Sequence, residues 1–284
     1  MRFGFTLGTL STRVWEDVTV EADRLGYESV WLPEHLVLPI DMAGSPFAES
    51  EHPPVPPDVP IFDVFAYLGF LAAKTSSIRL GTFVYNIGLR HPFSTARGAA
   101  TVDVVSGGRM ILGVGASWLR SEWEATGLDF DSRGGRVDEA IEVCRKLWTE
   151  PRVEHHGRFF DFPAVAFEPK PVHPGGVPVH IGGDGPAALR RVARLGDGWL
   201  PMNYGADDLP DIVAALDQEC RRAGRDSRPE ITVTAAPNGP ADVQRAAAAG
   251  ADRLIVGPWR RSSEAIDGLR RFRDEFAGCW GLSP

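Results

Sequence analysis

This chain has little cysteine, no long apolar run and no excess of positive charge, and each shortage closes off a class of function. Three cysteines, Cys144, Cys220 and Cys279, are spread over 284 residues. Their number is odd and no Cys-x-x-Cys or Cys/His spacing appears, so neither a disulfide framework nor a zinc site is set up. Cys144 falls at an apolar helical position and reads as a small core residue. No apolar stretch reaches membrane-spanning length, and no leader pattern precedes the strand-like run Arg2–Leu7. The expectation is a cytoplasmic protein without a membrane partner. Lys+Arg total 30 against 38 Asp+Glu, for a net charge of −8. The arginines are scattered, so no basic stripe exists to neutralise phosphates, which excludes a nucleic-acid partner. Metal ligands are missing too: His155 and His156 are adjacent, with no third ligand at useful spacing. Ser117 lacks the flanking glycines of a nucleophile elbow.

What the chain does have is a rhythm. Hydrophobic residues make up 43% of it, enough for a large core. Eight short apolar runs alternate with helical patterns. The strands expected are Arg2–Leu7, Ser29–Leu32, Ile78–Tyr85, Arg109–Gly115, Val177–Gly182, Gly198–Met202, Glu230–Ala235 and Arg253–Gly257. Most are continuous rather than alternating, as parallel strands buried on both faces must be. Helices are expected between them, at Val14–Leu25, Ile61–Ala73, Ser94–Val105, Arg136–Trp148, Pro186–Arg194, Leu209–Arg222, Ala241–Ala249 and Ser263–Phe276. Ser94 is the capping-type residue of the third. Eight β-then-α units predict a single (β/α)8 TIM barrel over residues 1–284. Two doubly wound domains are the competing architecture, but no linker or composition break divides the chain.

Two insertions interrupt the rhythm. The first, Val37–Pro60 after strand two, holds Pro39, Pro46, Pro53, Pro54, Pro56, Pro57 and Pro60, which forbid a helix. Because barrel loops that follow strands build the active face, this loop is a candidate lid. The second, Arg152–Val177 before strand five, spaces Phe159, Phe160, Phe162 and Phe167 in a way that suggests a small β excursion.

Chemistry-bearing residues collect at strand ends. Strand two ends in Trp31-Leu-Pro-Glu34-His35. His35 is a candidate proton shuttle; position alone also allows a structural histidine satisfied by backbone. Glu34 either orients His35, binds substrate or is solvated. Strand three leads to Asn86, able to hydrogen-bond a heterocycle edge or to form a turn. Strand four delivers Gly115, Ala116 and Ser117, then Trp118, in a loop carrying Ser121, Glu122 and Glu124. Small residues there let a flat ligand approach the backbone. Strand five ends in Gly182-Gly183-Asp184-Gly185 directly before a helix, an anion site or a plain tight turn, with Asp184 read as the helix cap. Trp199, one of eight tryptophans, is placed across the barrel or at its mouth, where it would meet substrate.

Taken in order, Trp31–His35, Leu80–Val84, Arg90-His-Pro92, Gly108–Gly115, Ser117-Trp118, Glu122, Pro169–Pro171, Val179–Gly183 and Asp197–Trp199 resemble the bacterial luciferase-like superfamily. Within it, the similarity is to the branch that uses the deazaflavin coenzyme F420. The resemblance implies a ring bound in the barrel mouth, with His35 at its reactive region and Phe83-Val84 at a non-prolyl cis peptide behind it. Asn86 and the loop Gly115, Ala116, Ser117, Trp118, Ser121 would contact the ring. Gly182, Gly183, Asp184 and Gly185 would form the phosphate turn. Two departures stand out: the first residue of the cis pair is usually small and here is Phe83, and sugar-phosphate dehydrogenases of the branch carry a catalytic glutamate where this chain has Trp118. The implied activity is hydride transfer between deazaflavin C5 and a small organic substrate, with His35 catalytic. The alternative is an FMN-dependent two-component monooxygenase fed by a partner reductase, and the third reading is a non-catalytic flavin-binding barrel. A homodimer is implied by resemblance only.

Overall fold

The computed structural model describes residues 1–47, 50, 54–204 and 208–281. Among them, the alternating pattern closes into the expected (β/α)8 barrel. The first four strands are β1 (Arg2–Thr6), β2 (Ser29–Leu32), β3 (Arg79–Thr82) and β4 (Met110–Val114). An antiparallel hairpin of β5 (Val153–His156) and β6 (Asp161–Val165) lies outside the barrel wall. The wall is completed by β7 (Val179–Gly182), β8 (Gly198–Leu200), β9 (Glu230–Thr234) and β10 (Arg253–Ile255), with β1 pairing both β10 and β2. The connecting helices are α1 (Trp15–Leu25), α2 (Val64–Lys74), α3 (Pro92–Ser106), α4 (Arg120–Ala125), α5 (Arg133–Thr149), α6 (Gly185–Leu195), α7 (Leu209–Arg222), α8 (Pro240–Ala248) and α9 (Ala265–Glu275). The proline-rich segment after β2 carries no helix or strand where it is described; Pro53 lies outside the described residues, as do residues 282–284.

The interior is layered. Trp31, Ile111, Leu200 and Ile255 form one buried cluster, with Phe83 and Val84 packed on it. These four come from alternate strands of the barrel, β2, β4, β8 and β10, the arrangement in which inward side chains fill such a fold. The intervening β1 and β3 present Gly4 and Gly81 toward Trp31. A Cβ at Gly81, which pairs with Trp31 in register, would meet the indole ring. The glycine is therefore what makes room for a tryptophan at the barrel axis.

Toward the strands' N-terminal ends the filling changes from apolar to ionic. Arg253 is fully buried and donates through Nε and Nη2 to both Glu28 oxygens, at 2.6 and 2.7 Å. It also reaches Glu230 at 3.3 Å and Thr232 Oγ1 at 2.8 Å. Burial, with Arg253 nearby, pushes His180 well below its ordinary range, so it sits in this layer as a neutral imidazole. A charged plug closes one end of the barrel and leaves the C-terminal end as the open face.

Helix boundaries shift by up to three residues from the sequence reading, as at the starts of α2 and α5, and two differences have a clear local cause or consequence. The sequence puts the α3 cap at Ser94, but α3 starts at Pro92 and His91 Nδ1 accepts the Phe93 N–H at 3.2 Å. Proline in the first turn brings no N–H to be capped, so the residue before it takes the role. The stretch after β4 reads as loop, yet Arg120–Ala125 forms the short helix α4. Cys144 is buried in α5, as its position predicts.

Helix α1 is fastened to the turn before β3 by Asp23, which accepts the N–H groups of Ser76, Ser77 and Ile78 at 2.7, 2.9 and 2.7 Å. Burial acts to raise its carboxyl, but hydrogen bonds from Ser76, Ser77 and Ile78 outweigh it and hold it down to about 2. Asp23→Ala is expected to lower unfolding free energy at pH 7 by about 1–2 kcal/mol, measured by urea denaturation. The folded value lies below the ordinary 3.8, so the advantage is present above that pH and lost as pH falls toward about 2. The two proteins' stabilities should converge over that interval.

Candidate active site at the barrel mouth

Strand β2 ends at Leu32 and hands the chain to Pro33, Glu34 and His35 at the open face. The His35 ring is fixed from β4's side of the mouth. Helix α4 carries Glu122, which is fully buried, and its Oε2 lies 3.0 Å from His35 Nδ1. Glu122 Oε1 accepts the Leu36 N–H at 2.6 Å and the Val37 N–H at 3.4 Å, while Asn86 Nδ2 lies 3.4 Å from Oε2. Because the carboxylate accepts at Nδ1, the proton belongs on that nitrogen, which leaves Nε2 of the neutral ring as an acceptor. No side chain or backbone group among the described residues pairs with Nε2.

Glu34 does not orient His35 and is not solvated. Its side chain is buried, Arg90 Nη2 donates to Oε1, and the Asn86 N–H donates to Oε2 at 2.8 Å. Burial pushes the Glu34 carboxyl upward, against the pull of Arg90 and the Asn86 N–H. Arg90 in turn lies over the Tyr85 ring, 4.5 Å from its centroid, and donates to the Asn86 carbonyl at 3.3 Å. Burial pushes the Tyr85 phenol up to about 12, so the platform under the guanidinium stays neutral. Asn86 thus joins both carboxylates, one through its backbone and one through its amide.

Beside this polar group lies an apolar shelf. The Phe83–Val84 peptide is cis. Both side chains are half-buried on the Trp31 layer. Val84 packs where a Cβ of Gly115 or Gly182 would stand, at 2.6 and 2.9 Å, so the bare glycines just after β4 and at the end of β7 admit it. Ser117 is the one non-glycine residue at positive φ among those described, and it turns the chain so that Trp118 meets the His35 ring edge-to-face at 6.0 Å. Ala116 and Ser117 are half-buried, and Ser121 Oγ is buried without a partner.

On the far side, Gly183 and Gly185 have positive φ and lead into α6. Asp184 holds the N-cap position without capping. Its oxygens accept instead from the Met202 N–H at 2.9 Å and Asn203 Nδ2 at 2.6 Å, tying this turn to the loop after β8. Trp199 does not face the mouth: it is fully buried, and its Nε1 donates to the Gly183 carbonyl at 2.9 Å, propping the glycine turn from behind. An aromatic residue at a strand end reads the same whether it faces in or out, and here it faces in. The N–H groups at the start of α6 are left uncapped by any side chain, which suits an anion.

A flat heterocycle with a phosphate fits this donor set: an apolar shelf for its face, small half-buried residues and an orphan hydroxyl at its rim, and an uncapped helix start. The sequence reading left Glu122 out of the site. It appears there as a loop residue and as one of the positions carrying the family resemblance, with no role assigned, and nothing local distinguishes it from exposed Glu124. A cavity of about 290 Å³ opens beside His35 and Glu34, under the segment that follows β2. Among the described residues, no group of three or more His, Cys, Asp or Glu side chains is placed to hold a metal.

Comparison with known proteins agrees with this architecture. A protein of Mycobacterium tuberculosis, itself uncharacterized, is 31% identical over 265 residues, covering 90% of this chain and 89% of its own. The F420-dependent glucose-6-phosphate dehydrogenase of Kineococcus radiotolerans is 29% identical over 216 residues, 74% of this chain and 58% of that protein. Among solved structures, an F420-dependent secondary alcohol dehydrogenase in complex with an F420–acetone adduct superposes with a TM-score of 0.75 at 17% identity, over 97% of this chain and 98% of that one. The family model described as luciferase-like monooxygenase matches residues 8–275, and the chain belongs to that family.

Proposed function

We propose that this member of the family is an F420-dependent oxidoreductase, in which a hydride passes between the deazaflavin's C5 and a small organic substrate while His35 handles the proton on the substrate. That the chain is an oxidoreductase rests on its family and on relatives that include an F420-dependent dehydrogenase. The observation that carries the finer reading is the His35–Glu122 pair, set at the edge of the Phe83–Val84 shelf with Nε2 unpartnered. When bound, the cofactor supplies a two-electron hydride carrier, and the protein supplies binding, orientation and electrostatics.

The chain's own residues divide that work. Phe83 and Val84 would hold the face of the ring. Asn86, Gly115, Ala116, Ser117, Trp118 and Ser121 would surround its rim. The backbone at Gly182, Gly183, Asp184 and Gly185 would receive the phosphate at the start of α6. Glu122 keeps the Nδ1 proton in place. Neutral His35 therefore offers a lone pair at Nε2 to a substrate hydroxyl, and cationic His35 offers a proton to a carbonyl. The same geometry serves both directions of the reaction.

Titrating the protein with oxidised F420 should quench tryptophan fluorescence with a micromolar or tighter Kd. Absence of binding at micromolar concentration, or oxygen-dependent turnover with reduced FMN, would overturn the assignment, the latter in favour of a monooxygenase. His35→Ala should reduce kcat by about 10²–10⁴ with F420 affinity kept, as expected for loss of a general acid–base group. The two carboxylates should separate in their effects. Glu122→Gln should lower kcat by about tenfold or more with F420 affinity unchanged, by loosening the His35 tautomer. Glu34→Ala should instead cost about 3 kcal/mol of stability, because it strands Arg90 in a largely buried position. Steady-state kinetics beside thermal melts would distinguish the two.

A further inference from the structure

We infer that Asn203 is a clasp that holds the segment after β2 across the open face, and that closure of this clasp and binding of an anion at the start of α6 favour one another. The anion site rests on the function proposed above; the clasp rests on hydrogen bonds alone. Counted either way round the wall, β8 is the fourth strand from β2, so the two stand on opposite sides of the barrel. The chain that leaves β2 at Leu32 nevertheless reaches the loop after β8, where the Pro46 carbonyl accepts from Asn203 Nδ2 at 3.2 Å. Residues 33–46, all of them described, form a strap over the mouth from edge to edge.

The same amide nitrogen donates its second hydrogen to Asp184 Oδ2 at 2.6 Å, and Asp184 Oδ1 accepts the Met202 N–H at 2.9 Å. Asp184 lies between two glycines of positive φ, Gly183 and Gly185, and stands at the N-cap of α6 without capping it. Aspartate is a favoured N-cap, and its carboxylate ordinarily accepts an N–H two or three residues on. Pro186 has none to give, which leaves the Ala187 N–H. Asn203 and Met202 draw the carboxylate away from that N–H, so the helix start stays open to an anion. Release of Asn203 removes one of the two bonds that hold Asp184 back. The glycines on either side let the turn rotate, and the carboxylate then serves α6 as its own anion. With the clasp closed, the strap crosses the mouth and the helix start is free. With it open, Asp184 caps α6 and an outside anion meets a negative charge in its place. An anion that binds only the closed arrangement favours the strap, and the strap favours the anion by the same factor.

The test uses the full chain, with inorganic phosphate as the probe at constant ionic strength. Calorimetry gives the phosphate Kd. The second readout is the rate of chymotryptic cleavage after Phe47, which is 44% exposed and adjoins the clasped carbonyl. Cleavage of such a segment follows the population of its open form. Saturating phosphate should slow cleavage of the wild type by about fivefold. Asn203→Ala, and Asn203→Leu as the variant of similar size, should speed it by about fivefold or more and weaken phosphate by a similar factor, the effect of one lost hydrogen bond to a charged group. Asp184→Ala should also speed cleavage, yet bind phosphate at least as tightly as the wild type, because no carboxylate remains to take its place. The double variant should keep the affinity of Asp184→Ala. Thermal melts confirm that each variant is folded. Cleavage unmoved by both Asn203 variants, a double variant that binds phosphate as weakly as Asn203→Ala, or no phosphate binding to the wild type and Asp184→Ala would each overturn the inference. If F420 fails to bind while the phosphate and cleavage pattern holds, the proposed function falls and the clasp stands. If F420 binds and the Asn203 variants change neither readout, only the clasp falls.

Discussion

One buried carboxylate organises the open face of this barrel. Glu122 has no exposed surface, and such a group is tolerated only where donors surround it. Its donors come from separate parts of the chain: His35, Leu36 and Val37 from the loop after β2, and Asn86 from the loop after β3. Glu122 itself stands on α4, after β4. Three consecutive mouth loops are thereby pinned at one point, and none can shift without stripping a charge of its hydrogen bonds. The Glu34–Arg90 pair repeats the device one layer away, with Asn86 as the shared member. The position and tautomer of His35 are consequences of this arrangement.

Along the barrel axis the filling runs from ionic to apolar to open. The Arg253–Glu28 pair occupies the closed end, Trp31 and its three partners fill the middle, and Phe83 and Val84 lie above them. The order has a physical reason. A fully buried arginine needs a bidentate carboxylate, and strand starts near Glu28, Glu230 and Arg253 can supply both signs. An apolar middle layer then separates that charge from His35, so the plug contributes no competing hydrogen bonds at the mouth. The glycines at 115 and 182 matter in the top layer, where the absence of side chains lets Val84 rise from β3's end between β4 and β7.

The barrel was legible in the sequence because burial on both faces writes most of its strands as unbroken apolar runs, and its longer helices as stripes. His35 drew attention in the sequence because it follows a strand's end in a fold whose chemistry gathers there, and the structure does place it at the open face beside Glu122. Glu122 was not, since its importance lies in a contact with a residue 87 positions away, and local pattern carries no such information. Helix α4, six residues long, spans fewer than two turns and leaves no periodic trace. Glu34 misled for the same reason in reverse: adjacency in sequence to His35 suggested a partnership that belongs to Arg90. Asp184 and Trp199 show a further limit. Residue type and strand-end position predicted a cap and a substrate contact, but side-chain direction decided otherwise, sending one to Met202 and the other behind Gly183.

The segment after β2 is fastened at both of its ends. Its start is held at Leu36 and Val37 by Glu122, and its end at Asp63, which caps α2. The stretch between contributes Leu38, Val59, Ile61 and Phe62 to the cavity lining, and regular secondary structure does not constrain its described residues. Side chains there can change in size without disturbing the hydrogen bonds that fix His35, because those bonds go to backbone N–H groups that every residue but proline possesses. A loop anchored by its backbone at one end and by a helix cap at the other is free to vary its lining. The residues that line the cavity are thus physically uncoupled from the bonds that hold His35, and the lining can change around a fixed His35–Glu122 pair.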